Sequence, residues 1–274
     1  MKKSEIQKFQ KLILDWYARE GRHDLPWRKT TNPYRILVSE VMLQQTQVER
    51  VVPKYRAFLK RFPNIVSLAR APLADVLALW SGLGYNRRAL YLKRAGEAII
   101  ALHKGVFPKD AETLETLPGI GPYTARAVAT FSHDASYIFI ETNIRRVFIH
   151  TFFEDKKNIP DSELIPCIRA TLPKGTSPRE WYWALMDYGS HLKKTVPNPN
   201  KRSAHYLKQS TFRGSVRELR GEFVRICTQK AVSKRTLLAP YMKTDEARAR
   251  KALDGLVSDG ILDVDTRGYV KIAK

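Results

Sequence analysis

"LETLPGIGPYTARAVATF", Leu114 to Phe131, decides how this chain is read. Apolar residues close one helix, Leu117-Pro118-Gly119-Ile120-Gly121 turns the chain, and Pro122 opens a second amphipathic helix, which predicts a helix, hairpin, helix. Proline costs nothing at a first helical position, because its missing amide would have no intrahelical partner there. A plain helix-to-helix turn needs one glycine. Two glycines around one apolar residue let the backbone turn tightly and approach a ligand, while free amides and the dipole of the second helix favour an anion. Pro118, Gly119, Ile120 and Gly121 are therefore candidate phosphate-binding residues, of the kind that positions a protein on DNA without reading base sequence.

The charge agrees. Among 274 residues, 48 Lys and Arg stand against 27 Asp and Glu, a formal net charge of +21. A polyphosphate backbone is the usual partner for such a field, and solubility alone is the plain alternative. The excess continues to the end: residues 201 to 274 hold 17 basic and 8 acidic side chains, a difference of +9. The first twenty residues carry charge throughout and contain no apolar run fit for a signal peptide, so a cytoplasmic, nucleoid-associated protein without membrane contact is expected. Cys167 and Cys227 are isolated from each other and from any ligand-spaced His, which leaves no zinc site and no iron-sulfur cluster. No cofactor is expected beyond a monovalent cation at the hairpin.

The first 192 residues read as one helical domain. Ile6, Phe9, Ile13, Trp16 and Tyr17 fall at helical spacing behind Ser4 as a cap, and their aromatic stripe reads as core. A second helix is expected from Pro33 through "YRILVSEVMLQQT", followed by helices in "VERVVPKYRAFLKRF", "PLADVLALWS" and "NRRALYLKRAGEAIIALHKG". Residues 193–212 are rich in prolines and cations without periodicity and read as a basic linker. Residues 213–274 read as three short helices and a hairpin around Asp265-Thr266-Arg267-Gly268, the pattern of a winged helix.

Two acids stand out. Glu40 sits in "SEVMLQQTQV" on an otherwise apolar helix face, where a carboxylate is costly unless it has a task. Glu141 follows the apolar "SYIFI" and precedes a helix that begins near Asn143. Either acid alone could be a cap or a surface group. Arg145 and Arg146 are expected to meet phosphates or solvent.

"LPWRKTTNPYRILVSEVMLQQTQVERVVPKY", "LWSGLGYNRRAL", "LPGIGPYTARAV" and "ALMDYG" resemble, in order and spacing, the adenine DNA glycosylases of the MutY type, within the helix-hairpin-helix (HhH-GPD) superfamily of endonuclease III. The resemblance covers about Leu25 to Gly189 and implies an all-α fold of two helical subdomains, with a winged-helix-like α+β unit appended. It implies a monomer acting on double-stranded DNA with a mismatched or damaged base, which it flips out of the stack before cutting the base from the sugar. By resemblance, Glu40 protonates the departing adenine, Glu141 stabilises the sugar cation or attacks it, and Asn143 and Tyr123 hold water, carboxylate or base. Gln45 and Tyr85 wedge into the duplex, while Thr46 and Leu83 face the partner base. Gln44, Gly84, Arg87, Lys193 and Lys194 join the DNA contacts, and Leu25, Trp27, Arg28, Val41 and Asp187 surround the extruded base. Bifunctional relatives carry Lys where this chain has Tyr123; a phenol forms no Schiff base, so little strand cleavage is expected.

Three departures matter. The family's Asp-Gly is replaced by Glu141-Thr142, and a displacement of about 1 Å at a reacting group can cost about a hundredfold in rate. The four cysteines that follow "MDYG" in relatives are absent. The usual C-terminal domain that helps recognise 8-oxoguanine is replaced by the winged-helix-like unit. Removal of thymine or uracil opposite guanine, and lesion binding without catalysis, are the alternatives to adenine excision.

Overall fold

The computed structural model describes residues 2–208 and 211–274. In chain order the helices are α1 (Lys3–Glu20), α2 (Pro33–Leu43), α3 (Val48–Arg61), α4 (Ile65–Arg70), α5 (Leu73–Trp80), α6 (Arg87–His103), α7 (Ala111–Glu115), α8 (Pro122–His133), α9 (Thr142–Phe152), α10 (Asp161–Ala170), α11 (Pro178–Thr195), α12 (Val216–Cys227), α13 (Lys234–Leu238) and α14 (Glu246–Ser258). Three short strands, β1 (Val232–Ser233), β2 (Leu262–Val264) and β3 (Tyr269–Ile272), complete the described elements. The architecture is all-α with a small terminal sheet, as the sequence implies.

Contacts divide the chain into two units. The first comprises Met1–Ile36, Lys109–Glu115 and Gly121–Lys208. Its core forms where α1, α9 and α11 meet: Phe9 packs edge-on against Phe148, Phe152 and Trp181 with ring centroids 5.0–5.9 Å apart. Burying each such aromatic contributes about 2–3 kcal/mol. Of the stripe on α1, Phe9, Ile13 and Tyr17 are buried in the core, while Ile6 and Trp16 are half-buried. The N-cap is Lys2 and not Ser4, because the Glu5 carboxylate reaches back to accept the Lys2 amide at 2.8 Å and starts the helix earlier.

The second unit comprises Leu37–Pro108, Thr116–Ile120 and Gln209–Lys274. Here α4 and α6 pack closely, and Gly96 lets the Ile65 side chain approach to 3.0 Å of where a Cβ would stand. Helix α4 has no counterpart in the sequence reading. Its six residues are too few for a visible period, and its start depends on reciprocal bonds between Asn64 and Ser67. The end of α2 also differs from expectation, since the helix stops at Leu43 and leaves Gln44, Gln45 and Thr46 outside. The C-terminal segment folds as α12–α14 around Leu219, Phe223, Leu253 and Leu256, closed by an antiparallel sheet of order β1-β3-β2. Register pairs Val232 and Val264 with Val270. Two residues of β1 carry no alternation, so only the later hairpin is legible in the sequence.

Candidate active site and nucleic-acid interface

Glu141 is the N-cap of α9. Its Oε1 accepts the amides of Asn143 at 2.7 Å and Ile144 at 2.8 Å, and its Oε2 accepts from Asn143 Nδ2 at 3.1 Å. Burial pushes the carboxyl above its ordinary range, opposed by the two amides and by Arg146 and Arg145. The residue is half-buried, yet its carboxylate is surrounded and oriented from three sides. Arg145 and Arg146, expected to meet phosphates or solvent, are both engaged within the protein, and Arg146 is buried away from solvent. Arg146 is 3% exposed and donates to Asn143 Oδ1 at 2.7 Å and to the Gly189 carbonyl at 2.6 Å. Arg145 forms a two-pronged pair with Asp161 at 2.8 and 2.7 Å. A Cβ on Gly189 would lie 2.3 Å from the Asn143 carbonyl, so glycine is required for α11 to support this start of α9.

The extended segment leading to Glu141 is also held. Phe139 stacks on Tyr182 with centroids 3.8 Å apart, and the Tyr182 hydroxyl donates to the Tyr137 carbonyl at 2.9 Å. Tyr123, at the second position of α8, meets Phe139 edge-on at 5.8 Å. The structure thus brings Tyr123, Glu141 and Asn143 to one region of the first unit.

Residues 190–211, where the resemblance implies cluster cysteines, contain no thiol. Cys167 lies on α10 and its Sγ turns to the Glu163 carbonyl at 3.6 Å, while Cys227 belongs to α12. The residues present do not fit an iron-sulfur cluster. Among the described residues, no group of three or more His, Cys, Asp or Glu could hold a metal ion. The segment is fastened by other means. The 3-10 turn Pro199–Arg202 presents Asn200, whose Nδ2 donates to the Thr142 carbonyl at 2.9 Å. Arg202 donates to the carbonyls of Ile149, at 3.1 Å, and of Phe153 and Glu154, capping the end of α9. Both ends of the helix that carries Glu141 are thereby pinned by this short segment.

Asp187, 2% exposed, gathers two arginines. Arg28 reaches it at 2.6 and 2.8 Å, and Arg22 contributes its amide and Nε at 2.7 Å. Burial raises the Asp187 carboxyl, and the arginines outweigh it, so the net shift is downward. Arg28 also lies 5.5 Å from the Trp183 ring centroid. Of the proposed base-pocket residues, Leu25, Trp27, Arg28 and Asp187 belong to this unit, and Val41 belongs to the other. Lys193 and Lys194 are exposed at the end of α11.

In the second unit Glu40 is 6% exposed on α2, beside the buried Val41 and Met42. The loops beyond it are strained. Gln45 and Tyr85 adopt φ of +55° and +50°, a region that costs a non-glycine residue about 1–3 kcal/mol. One side chain that the sequence reading missed holds both loops. Arg88, on α6, donates to the carbonyls of Val41, Met42 and Gln44 at 2.7–2.9 Å, and to Thr46 Oγ1, Leu83 and Gly84 at 3.0–3.1 Å. Burial pushes its guanidinium down to about 10, which leaves it charged at neutral pH. This capture of carbonyls ends α2 at Leu43 and turns Gln45 outward into the left-handed region. An arginine on the apolar side of α6 was the only available signal.

The hairpin meets the same neighbourhood. Gly119 needs its positive φ of +74°, and a Cβ there would strike Tyr91 Cβ at 2.4 Å. Gly121 has an ordinary extended φ of −89° as the cap of α8, and a Cβ there would meet nothing within 4 Å, so its backbone lies open to approach. Val41, Gln44, Arg87, Arg88, Tyr91, Leu92, Pro118, Gly119 and Ile120 line a depression of about 160 Å³. Leu83 is 4% exposed.

Comparison with known proteins gives the arrangement its context. Residues 38–165 match the HhH-GPD superfamily of base excision DNA repair proteins. An adenine DNA glycosylase of Mycolicibacterium smegmatis is 34% identical over 279 residues, spanning 95% of this chain and 94% of that protein. That of Mycobacterium tuberculosis is 33% identical over 91% of this chain and 88% of its own length. The mouse enzyme is 33% identical over 80% of this chain, which corresponds to 44% of its length. The mycobacterial likeness therefore runs past Gly189 into the C-terminal segment, beyond the reach of the motifs. Among solved structures, a thermostable thymine-DNA glycosylase superposes with a TM-score of 0.61 at 26% identity, over 68% of this chain and 87% of that one. Endonuclease III in a non-covalent DNA complex shares the fold, with a TM-score of 0.56 at 18% identity over 68% and 85%. The chain belongs to the HhH-GPD superfamily of base excision DNA repair proteins, within its family of adenine DNA glycosylases.

Proposed function

We propose that the protein is a monofunctional glycosylase that extrudes adenine paired with 8-oxoguanine or guanine from duplex DNA and hydrolyses its bond to deoxyribose. It acts as a monomer on chromosomal DNA. In this reading Gln45 and Tyr85 fill the space left by the extruded nucleotide, Thr46 and Leu83 address the orphaned base, and the hairpin with Lys193 and Lys194 takes phosphates. Glu40 gives a proton to the five-membered ring of adenine as the glycosidic bond breaks and its electron pair leaves with the base. The sugar then carries oxocarbenium-like positive charge, which the Glu141 carboxylate meets before water adds to the anomeric carbon. Asn143 holds that carboxylate through Oε2, and Tyr123 contributes no amine for a strand-cleaving step.

The observation that supports the chemistry best is the setting of Glu141. A carboxylate that served only as a helix cap would do so at the surface, without burial that raises its pKa and without Asn143, itself held by Arg146, fixing its orientation. An anion already oriented and partly desolvated costs no reorganisation when the cation forms. The test is single-turnover incubation with duplexes carrying adenine opposite 8-oxoguanine, adenine opposite guanine, and thymine or uracil opposite guanine, each followed by alkali. Release of adenine alone, with strand breaks only after alkali, is expected. Faster release of thymine or uracil, or tight binding with no release from any duplex, overturns the assignment.

A further inference from the structure

The C-terminal unit touches the wedge itself. Arg217, the second residue of α12, donates from Nη1 to the Tyr85 hydroxyl at 2.6 Å, and its guanidinium carbon lies 5.6 Å from the Tyr85 ring centroid. Arg88 stands at 5.6 Å from the same ring. Tyr85 is therefore gripped by two cations, one from its own loop support and one from the appended unit, while its backbone is held at φ +50° between Gly84 and Asn86. A second tie lies close by. Asp259, in the turn after α14, pairs with Arg220 of α12 at 2.5 Å and approaches Arg87 Nε, two residues beyond Tyr85, at 3.5 Å. The same turn brings Gly260 under Arg94 of α6, where a Cβ would lie 3.3 Å from the guanidinium.

From this geometry we infer that Arg217 is a positioning residue for Tyr85, so that the winged-helix-like unit serves base extrusion by presenting the wedge in its inserting conformation. The inference rests on the proposed wedge role of Tyr85. A charge-assisted bond to a phenol at the tip of a strained loop acts on one rotamer and one ring plane. Held there, the ring needs no ordering when it enters the duplex; released, it must lose that freedom at the moment of insertion. The bond belongs to Arg217 and to the hydroxyl, which makes the idea separable from simple attachment of the unit.

The experiment uses the full chain and a duplex with adenine opposite 8-oxoguanine, with 2-aminopurine beside the target adenine. Stopped-flow fluorescence reports unstacking, and free adenine is measured in parallel. Arg217→Ala is expected to slow extrusion about tenfold, the size of one net hydrogen bond to a charged donor, with Kd for the duplex changed less than about threefold. Arg217→Lys should recover part of the rate. Tyr85→Phe should match Arg217→Ala, and the double variant should be no slower than either single one. Unchanged or faster extrusion in Arg217→Ala, or additive losses in the double variant, overturns the proposal. A lower Tm with unchanged extrusion assigns Arg217 to attachment alone and overturns it equally. Absence of adenine release from the unsubstituted protein sinks the glycosylase reading instead, and leaves the fluorescence result to judge Arg217.

Discussion

At the scale of single residues, two carboxyl groups of the first unit are shifted in opposite directions. Glu141 has a raised pKa, so its ionised form is disfavoured in the folded protein. Its unfavourable contribution is full above the folded pKa and fades as pH falls towards the ordinary value of 4.5, where the carboxyl is neutral in both states. Glu141→Gln keeps the cap oxygen and removes the charge. It should unfold at a higher temperature than the unsubstituted protein at pH 7, with the difference closing near pH 4.5, and should lose base release. Asp187 behaves the other way, because Arg28 and Arg22 hold its carboxyl low; its support is present above about pH 3.8 and lost below. Thermal melts of Glu141→Gln from pH 4 to 8 check this, and a lower Tm at pH 7 would make Glu141 a structural cap with no cost attached to its charge.

Among elements, the loops held by Arg88 show how much was legible beforehand. Periodicity locates α1, α3, α5, α6 and the helices of the C-terminal unit, because each buries one apolar stripe. The hairpin is legible because Gly119 is required twice, by its φ and by Tyr91. What the sequence does not reveal is carried by long-range hydrogen bonds. Arg88 ends α2 three residues earlier than its composition implies, and Asn200 and Arg202 fasten α9 from a segment that reads as a linker. Glu40 and Glu141 are both legible as acids in apolar surroundings, whereas the burial of Arg146 against Gly189 depends on which helix passes α9. Arg88→Met keeps the length of the side chain and removes its six hydrogen bonds to the loops of Gln45 and Tyr85. It should cost about 3 kcal/mol or more in denaturant unfolding and weaken extrusion further than Arg217→Ala. An unfolding midpoint within error of the original would show that the loops hold their left-handed residues without it.

For the whole molecule, the net charge of +21 fits an enzyme that meets DNA through the DNA phosphates. Binding to undamaged duplex should weaken about a thousandfold between 50 and 200 mM salt, as expected for about six neutralised phosphates. Fluorescence anisotropy across that range measures the slope. A flat dependence would assign the charge to solubility. The C-terminal segment shares the basic excess, and its Arg217 pairs directly with Tyr85. In the proposed reaction Glu40 of α2 gives the proton and Glu141 at the start of α9 is the counter-ion, so the two acids contribute unequally.

The most direct test is Glu40→Gln on a duplex with adenine opposite 8-oxoguanine, measuring single-turnover release and Kd side by side. With Glu40 as proton donor, release should fall by at least about a hundredfold while Kd stays within about threefold. Release at the original rate, or loss of binding equal to the loss of release, would contradict the account.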